Sequence, residues 1–326
     1  MRVEVWADVV CAWAYIGKRR LERALAGWQG EPVEVVWRPF RIDPMAPAQA
    51  LPLADELRDP VVDEALQQCA PGTTPAQNRV RVSRIAAQEG IGPRWGAAWR
   101  ANSHDAHRLL ALAHELGGAR LQDAVAEGVL RAHFVEEQDI SSREVLAGIA
   151  RRAGLPQGGD LLAGDAGERA VKELLLSGKA MGVKSSPTLV IAGRSLTGAQ
   201  PSDVIADFLR DGEGRPERTL PAEVLRLRQA DALLGLGDPL GCLTLLGPLL
   251  DEQGPDRGVR LLAARACFHS AQLGRAVRML EELVAEGPDD SYARLLLGRA
   301  LERQGRSGEA AVHLRIAAAM TPSYGH

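Results

Sequence analysis

Apolar and polar positions along the chain follow two different rhythms. From Arg2 to about Trp6 a short apolar run predicts a strand, and Ile16, Leu21, Leu25 and Trp28 recur behind it at helical spacing. Val33, Val35 and Trp37 alternate with Glu34, Val36 and Arg38 between Pro32 and Pro39, the pattern of a second strand. From Leu51 to about Gly182 the spacing is helical: Val80–Glu89, about Ala97–Leu116, Leu121–Phe134 and Ser142–Arg152, the last with Ser141 or Ser142 placed to cap it. Strand character returns in Thr188–Ile191 and Leu196–Thr197, on either side of a turn at Ala192-Gly193-Arg194. A closing helix starts at Pro201-Ser202-Asp203 and runs through Leu209.

The second rhythm begins after a polar Gly/Pro stretch, Asp211–Arg218, that carries no period and reads as a linker. The expected division is therefore 1–211, a linker over 212–221, and 222–326. Beyond the linker small residues recur at Ala230, Ala264 and Gly298 and again at Cys242, Ala276 and Ala310, while Leu246, Leu280 and Leu314 form a larger apolar set. Each series steps by 34 residues, with Gly254, Pro288 and Pro322 at the unit ends. That period, with small residues where paired helices approach, is the tetratricopeptide signature, here in three units. Such an array offers a groove for a peptide or a partner protein, or a face on which a second copy of the chain docks to make a homodimer.

Composition narrows the function. The 39 basic and 42 acidic side chains give a formal charge of −3, without the basic excess that nucleic acid or an anionic membrane surface selects for. No apolar run reaches spanning length and no basic segment leads into an apolar one, so the expected location is the cytoplasm, with neither nucleic acid nor membrane as partner. Abundant Ala, Arg, Gly and Leu with scarce Lys suit a high-GC bacterial source. The four cysteines, Cys11, Cys69, Cys242 and Cys267, keep no regular spacing, against both a secreted disulfide framework and a zinc knuckle.

Cys11 sits where the first strand gives way to a helix, the place where thioredoxin-type proteins carry C-x-x-C, but the fourth position is Ala14. The string Trp6-Ala7-Asp8-Val9-Val10-Cys11-Ala12-Trp13-Ala14-Tyr15-Ile16-Gly17-Lys18 resembles the FrnE-type branch of the DsbA family. The likeness continues through Val36–Pro44, Asn102–Leu109, Gly182–Pro187 and Gly198–Pro201, and so spans residues 1 to about 211. It implies an α/β fold: a thioredoxin-like core with an inserted all-helical subdomain over about 51–182, followed by the α-helical tetratricopeptide domain. Two departures stand out, Ala12 in place of the family's proline and Ala14 in place of its second cysteine.

A cysteine at a helix N-terminus meets unpaired N–H groups and the positive end of the helix dipole, so Cys11 is expected to be more acidic than a free thiol, with Asp8 pushing the other way. With no thiol at position 14, attack on a disulfide stops at the mixed disulfide until an external thiol releases it. Cys11 is therefore the expected nucleophile. Trp13 and Tyr15 flank the thiol, in contact with substrate or packed in the core, with Trp13 expected at the site. The resemblance implies that the helix carrying Asn102, His107 and Arg108 faces the cysteine, for substrate contact or ordinary helix packing. It also sets Ser186 and Pro187 beside the cysteine, with Pro187 where the fold holds a cis-proline. No tightly bound cofactor is implied; a low-molecular-weight thiol is the expected co-substrate. His104 and His107 lack a third ligand, so no metal is expected. Cys69 is read as structural or as a distant resolving thiol, and Cys242 and Cys267 as packing residues. Three functions follow: monothiol thiol–disulfide exchange, a thiol-dependent isomerase or transferase of the kappa or hydroxychromene-carboxylate isomerase type, and a non-catalytic adaptor. A buried, unreactive Cys11 would favour the last.

Overall fold

The computed structural model describes residues 1–56, 72–215, 220–251 and 256–324, so Cys69 lies outside the described residues. Two compact units make up the chain: Met1–Gly178 with Val183–Arg218, and Lys179–Gly182 with Thr219–His326.

The first unit is organised on a four-stranded sheet of order β2-β1-β5-β6, from β1 (Arg2–Ala7), β2 (Glu34–Pro39), β5 (Thr188–Ile191) and β6 (Arg194–Thr197). β1 pairs parallel with β2, from Arg2↔Glu34 to Ala7↔Pro39, and α1 (Ala12–Ala26) makes the crossover between them. On its other side β1 runs antiparallel to β5, with Glu4↔Val190 and Trp6↔Thr188. Lying between two partners, β1 is buried on both faces through Val3, Val5, Trp6 and Ala7, as a central strand must be. The β5–β6 hairpin closes through Ala192 (φ 47°) and Gly193 (φ 78°), the double positive-φ turn whose twist suits a two-residue loop.

Helices cover the sheet. α8 (Ser202–Gly212) packs against α1, and α4 (His104–Phe134) lies along β2. As an edge strand, β2 would leave backbone groups unpaired, and the buried amide of Gln122 takes them up. Its Oε1 accepts from Trp37 N at 2.8 Å, and its Nε2 donates to Trp37 O at 2.9 Å and to Leu110 O at 3.2 Å. The expected runs Ala97–Leu116 and Leu121–Phe134 are the two arms of α4, broken at Gly118, whose φ of 69° and ψ of −168° favour glycine.

The insertion departs from the all-helical expectation. β3 (Leu51–Pro52) and β4 (Trp99–Arg100) pair antiparallel, two strands too short to leave any period in the sequence. Because Trp99 and Arg100 are held there, the helix expected from about Ala97 begins at His104 instead. α2 (Leu53–Glu56) is a single turn, and α3 (Pro75–Gln88) begins well before Val80, started by a Thr74/Gln77 capping box with Pro75 in its first turn. α5 (Arg143–Ala153) takes Ser142 as its cap and ends at Gly154 in the left-handed region; α6 (Gly158–Ala163) and α7 (Glu168–Ala180) follow.

The second unit consists of three helical hairpins: α9 (Ala222–Gly235) with α10 (Pro239–Asp251), α11 (Arg257–His269) with α12 (Leu273–Glu286), and α13 (Ser291–Arg303) with α14 (Ser307–Met320). The second helices start at Pro239, Leu273 and Ser307, in the 34-residue step of the sequence pattern. Ala230, Ala264, Cys242, Ala276, Ala310, Leu246 and Leu280 are buried, and a Cβ on Gly298 would lie 2.6 Å from Leu314, so that glycine permits the close approach of α13 and α14. Cys242 and Cys267 are fully buried free thiols; burial pushes Cys242 up to about 12 and also raises Cys267, which keeps both protonated and inert. No described helix is long and apolar enough to cross a membrane.

Candidate functional site

The strand-to-helix turn between β1 and α1 builds the site. Cys11 is the N-cap residue of α1, in an extended conformation (φ −87°, ψ 117°); its N–H donates to Asp8 O at 3.0 Å and its carbonyl accepts from Ala14 N at 2.9 Å. The Sγ–H points to Ser186 O at 3.4 Å. Ser186 and Pro187 are joined by a cis peptide bond, and Ser186 Oγ accepts from Asp8 N at 2.9 Å, so the segment before β5 is tied to both Asp8 and the thiol. Helix α1 passes close to Pro187 because Gly17 has no side chain: a Cβ there would lie 3.0 Å from Pro187 Cγ.

Asp8 is the centre of a buried polar network. Its Oδ2 accepts from Ile42 N at 2.7 Å, and its Oδ1 accepts from Val10 N at 3.4 Å and lies 3.3 Å from His107 Nε2. The same Nε2 is 3.0 Å from Phe40 O, an acceptor only, so Nε2 carries the proton and serves both oxygens. Burial alone would raise the Asp8 pKa; His107, the Ile42 N–H and the Ser103 hydroxyl outweigh it, and the carboxyl is held below its ordinary range.

This network corrects the expectation for Cys11. The thiol is 8% exposed, and burial pushes its pKa up. The Ser186 hydroxyl and the Ala14 and Trp13 N–H groups pull the other way, as a helix start should, but they do not offset burial, and the Asp8 charge adds to the rise. The N–H groups of the helix start and the Asp8 charge each act in the expected direction; it is burial that reverses the net result.

Of the residues expected around the substrate, Trp13 is half-buried with the Arg81 guanidinium 5.8 Å from its ring centroid, and Ser186 and Pro187 lie at the thiol. Tyr15 is a correction. It is 1% exposed, sits among Trp95 and Phe134 and donates to Glu127 at 2.8 Å, so it belongs to the core. Arg108 is another, since its guanidinium is spent on Ala166 O, Gly164 O and Asp105, holding the segment between α6 and α7. Asn102 does not face the thiol either: it accepts from Arg41 at 3.1 Å and donates to Ala46 O at 2.7 Å, pinning the loop after β2. His107 reaches the site only through Asp8. His104 turns away to Glu168, at 2.6 Å, and the described residues include no cluster of three side chains suited to a metal.

Two members of the neighbourhood were not among the residues expected at the site, although Ser103 lies in the Asn102–Leu109 segment of the likeness. Ser103 is buried against Asp8, and His133, 2% exposed and near enough to feel the Asp8 charge, is pushed down to about 4 by burial. A cavity of about 170 Å³ that His107 also lines, with Trp37, His114 and Leu174, does not include Cys11.

A thioredoxin-type sheet, a cysteine capping the first helix and a cis-proline segment at its sulfur define a protein of the thioredoxin class. Residues 2–210 match the model of the DSBA-like thioredoxin domain, and the chain belongs to that family. The probable DsbA oxidoreductase of Streptomyces coelicolor is 28% identical, the match covering 68% of this chain and 94% of that one at a TM-score of 0.56. A 2-hydroxychromene-2-carboxylate isomerase is 15% identical, covering 65% and 95% with a TM-score of 0.47. The cytosolic disulfide reductase DsbM from Pseudomonas aeruginosa is 20% identical, covering 65% and 98% with a TM-score of 0.44. No curated protein matches the chain.

Proposed function

We propose that the chain is a cytoplasmic thiol–disulfide exchange protein of the FrnE-like branch that works through Cys11 alone, and that its C-terminal hairpins are tetratricopeptide repeats that recruit a protein or peptide partner. The observation that carries this reading is the placement of Cys11 Sγ at the start of α1 and 3.4 Å from Ser186 O, beside cis-Pro187, with Ala14 at the second motif position. The Cys11 thiolate attacks a disulfide, a bond forms from Sγ to one substrate sulfur, and the other leaves as a thiolate. An external low-molecular-weight thiolate then attacks the substrate sulfur of the mixed disulfide, so that Cys11 leaves as its thiolate and that sulfur is joined to the external thiol, and a second external thiol releases it as the external disulfide forms. Two external thiols are oxidised for each disulfide reduced.

Burial of the thiol limits this chemistry, because at neutral pH Cys11 is protonated and the nucleophile is its minor form. The same burial favours a second reading, a non-catalytic adaptor in which the thioredoxin-type unit and the repeats only bind. The two separate in a turnover assay with a glutathionylated peptide and excess thiol. Release of the peptide thiol above the uncatalysed rate, lost in Cys11→Ser, supports exchange; a rate equal to the buffer's supports the adaptor.

A further inference from the structure

The loop after β2 is pinned at every turn and yet presents apolar side chains to solvent. Phe40 O is held by His107, Ile42 N by Asp8, Asp43 by Arg100 at 2.8 Å and Ala46 O by Asn102. On this frame Ile42 is 51% and Met45 83% exposed. Single exposed apolar residues are ordinary, but two on a loop fixed by buried partners, one of them hydrogen-bonded to the residue whose carbonyl holds Cys11 N, form a prepared surface rather than a loose one.

Against Trp13, two residues from Cys11, lies a surface of the other kind. Helix α3 carries Arg79, Arg81 and Arg84, all exposed, and no acidic residue. Among the described residues none of the three has an ion-pair partner, whereas Arg20 and Arg23 of α1 both bind Glu89 and so fix α3 alongside α1. That docking sets Arg81 over Trp13, two residues from Cys11, with Arg84 its neighbour one turn on. Exposed guanidinium groups without an ion-pair partner, one of them over the ring of a residue two positions from Cys11, favour carboxylates, and the Ile42 and Met45 side chains favour apolar contact.

We propose that the surface around Cys11 selects a polypeptide segment with apolar and acidic side chains flanking its cysteine, read by Ile42 and Met45 on the loop and by Arg81 and Arg84 on α3. This rests on the exchange reading above and gives it a substrate class. A small thiol such as glutathione supplies the carboxylates but nothing for Ile42 and Met45 to cover.

The test measures binding separately from chemistry. Two fluorescent peptides, each with serine in place of the central cysteine, are titrated by anisotropy into the full chain: one flanked by Leu and Glu, the other by Ser and Lys. The Leu/Glu peptide is expected to bind about tenfold tighter. That preference should fall to near unity both in Ile42→Ser/Met45→Ser and in Arg81→Glu/Arg84→Glu, each checked for native circular dichroism. Equal binding of the two peptides overturns the proposal, as does a preference that survives both variants, which would place the peptide elsewhere on the chain. Binding of reduced glutathione with no binding of either peptide overturns it in favour of a small-thiol site. Failure of Cys11 to form a mixed disulfide in parallel would remove the exchange reading and leave the binding result to stand or fall by itself.

Discussion

Asp8 and His107 meet at 3.3 Å between Oδ1 and Nε2, both side chains almost wholly buried, and the carboxylate they hold charged lies three residues before Cys11. A fixed negative charge in that position opposes a second one on sulfur. Replacement of Asp8 by Asn should therefore lower the Cys11 pKa and speed its alkylation at pH 7. It should also destabilise the fold by about 1–3 kcal/mol, since the Ile42 N–H and His107 lose a charged acceptor. The pH profile of alkylation and urea unfolding of the same variant check the two effects.

Stability should depend on pH through His133. Its folded pKa of about 4 lies below the ordinary 6.5, so the unfolded chain binds the extra proton between those values. The contribution is present above about pH 6.5 and is lost as the pH falls towards 4, by up to a few kcal/mol. Thermal melts of the wild type and of His133→Gln across that window should converge at the acid end.

Ala14→Cys restores the missing partner. Position 14 is fully buried in the first turn of α1, within reach of Cys11, whose carbonyl accepts from Ala14 N at 2.9 Å. The variant should close a disulfide with Cys11 on oxidation and release mixed disulfides without added thiol. Thiol titration of the unfolded chain before and after oxidation measures this as a fall of two among the variant's thiols, which are the four native cysteines and the introduced one; no such fall after treatment with oxidised glutathione would count against the geometry.

Gln122→Leu should cost about 1–3 kcal/mol, because the Trp37 N–H and carbonyl on the edge of β2 lose their partner while staying buried. Denaturant unfolding reads the loss directly.

Much of this was legible in the sequence. The strands, the α1 face, the Ser142 cap and the 34-residue step each rest on local periodicity, and they recur as β1, β2, β5, β6, α5 and the three hairpins. The start of α3 could have been found from Thr74-Pro75 and Gln77, since capping residues mark a helix that has no apolar period in its first turn. The two-residue strands β3 and β4 could not, because nothing in Leu51-Pro52 announces a pairing with Trp99-Arg100.

At the site, the strand-to-helix boundary located Cys11, and the family resemblance set Ser186 and Pro187 beside it, where Ser186 O lies 3.4 Å from the sulfur. The motif around Arg108, Asn102 and Tyr15 placed them near the thiol, but a sequence does not say which way a side chain turns on its helix. Burial decided the acidity of Cys11, and burial is set by packing across the whole unit rather than by the helix start that the motif reveals.

The most direct measurement is the capture of oxidised glutathione by the full chain across pH 6–10, mapped by mass spectrometry with Cys11→Ser as control. The account predicts glutathione on Cys11, absent from the control, increasing with pH and reaching half-maximal rate above the free-thiol value of about 8.5. No adduct on Cys11 at any pH where the chain stays folded, or the same adduct in the Cys11→Ser control, would contradict it.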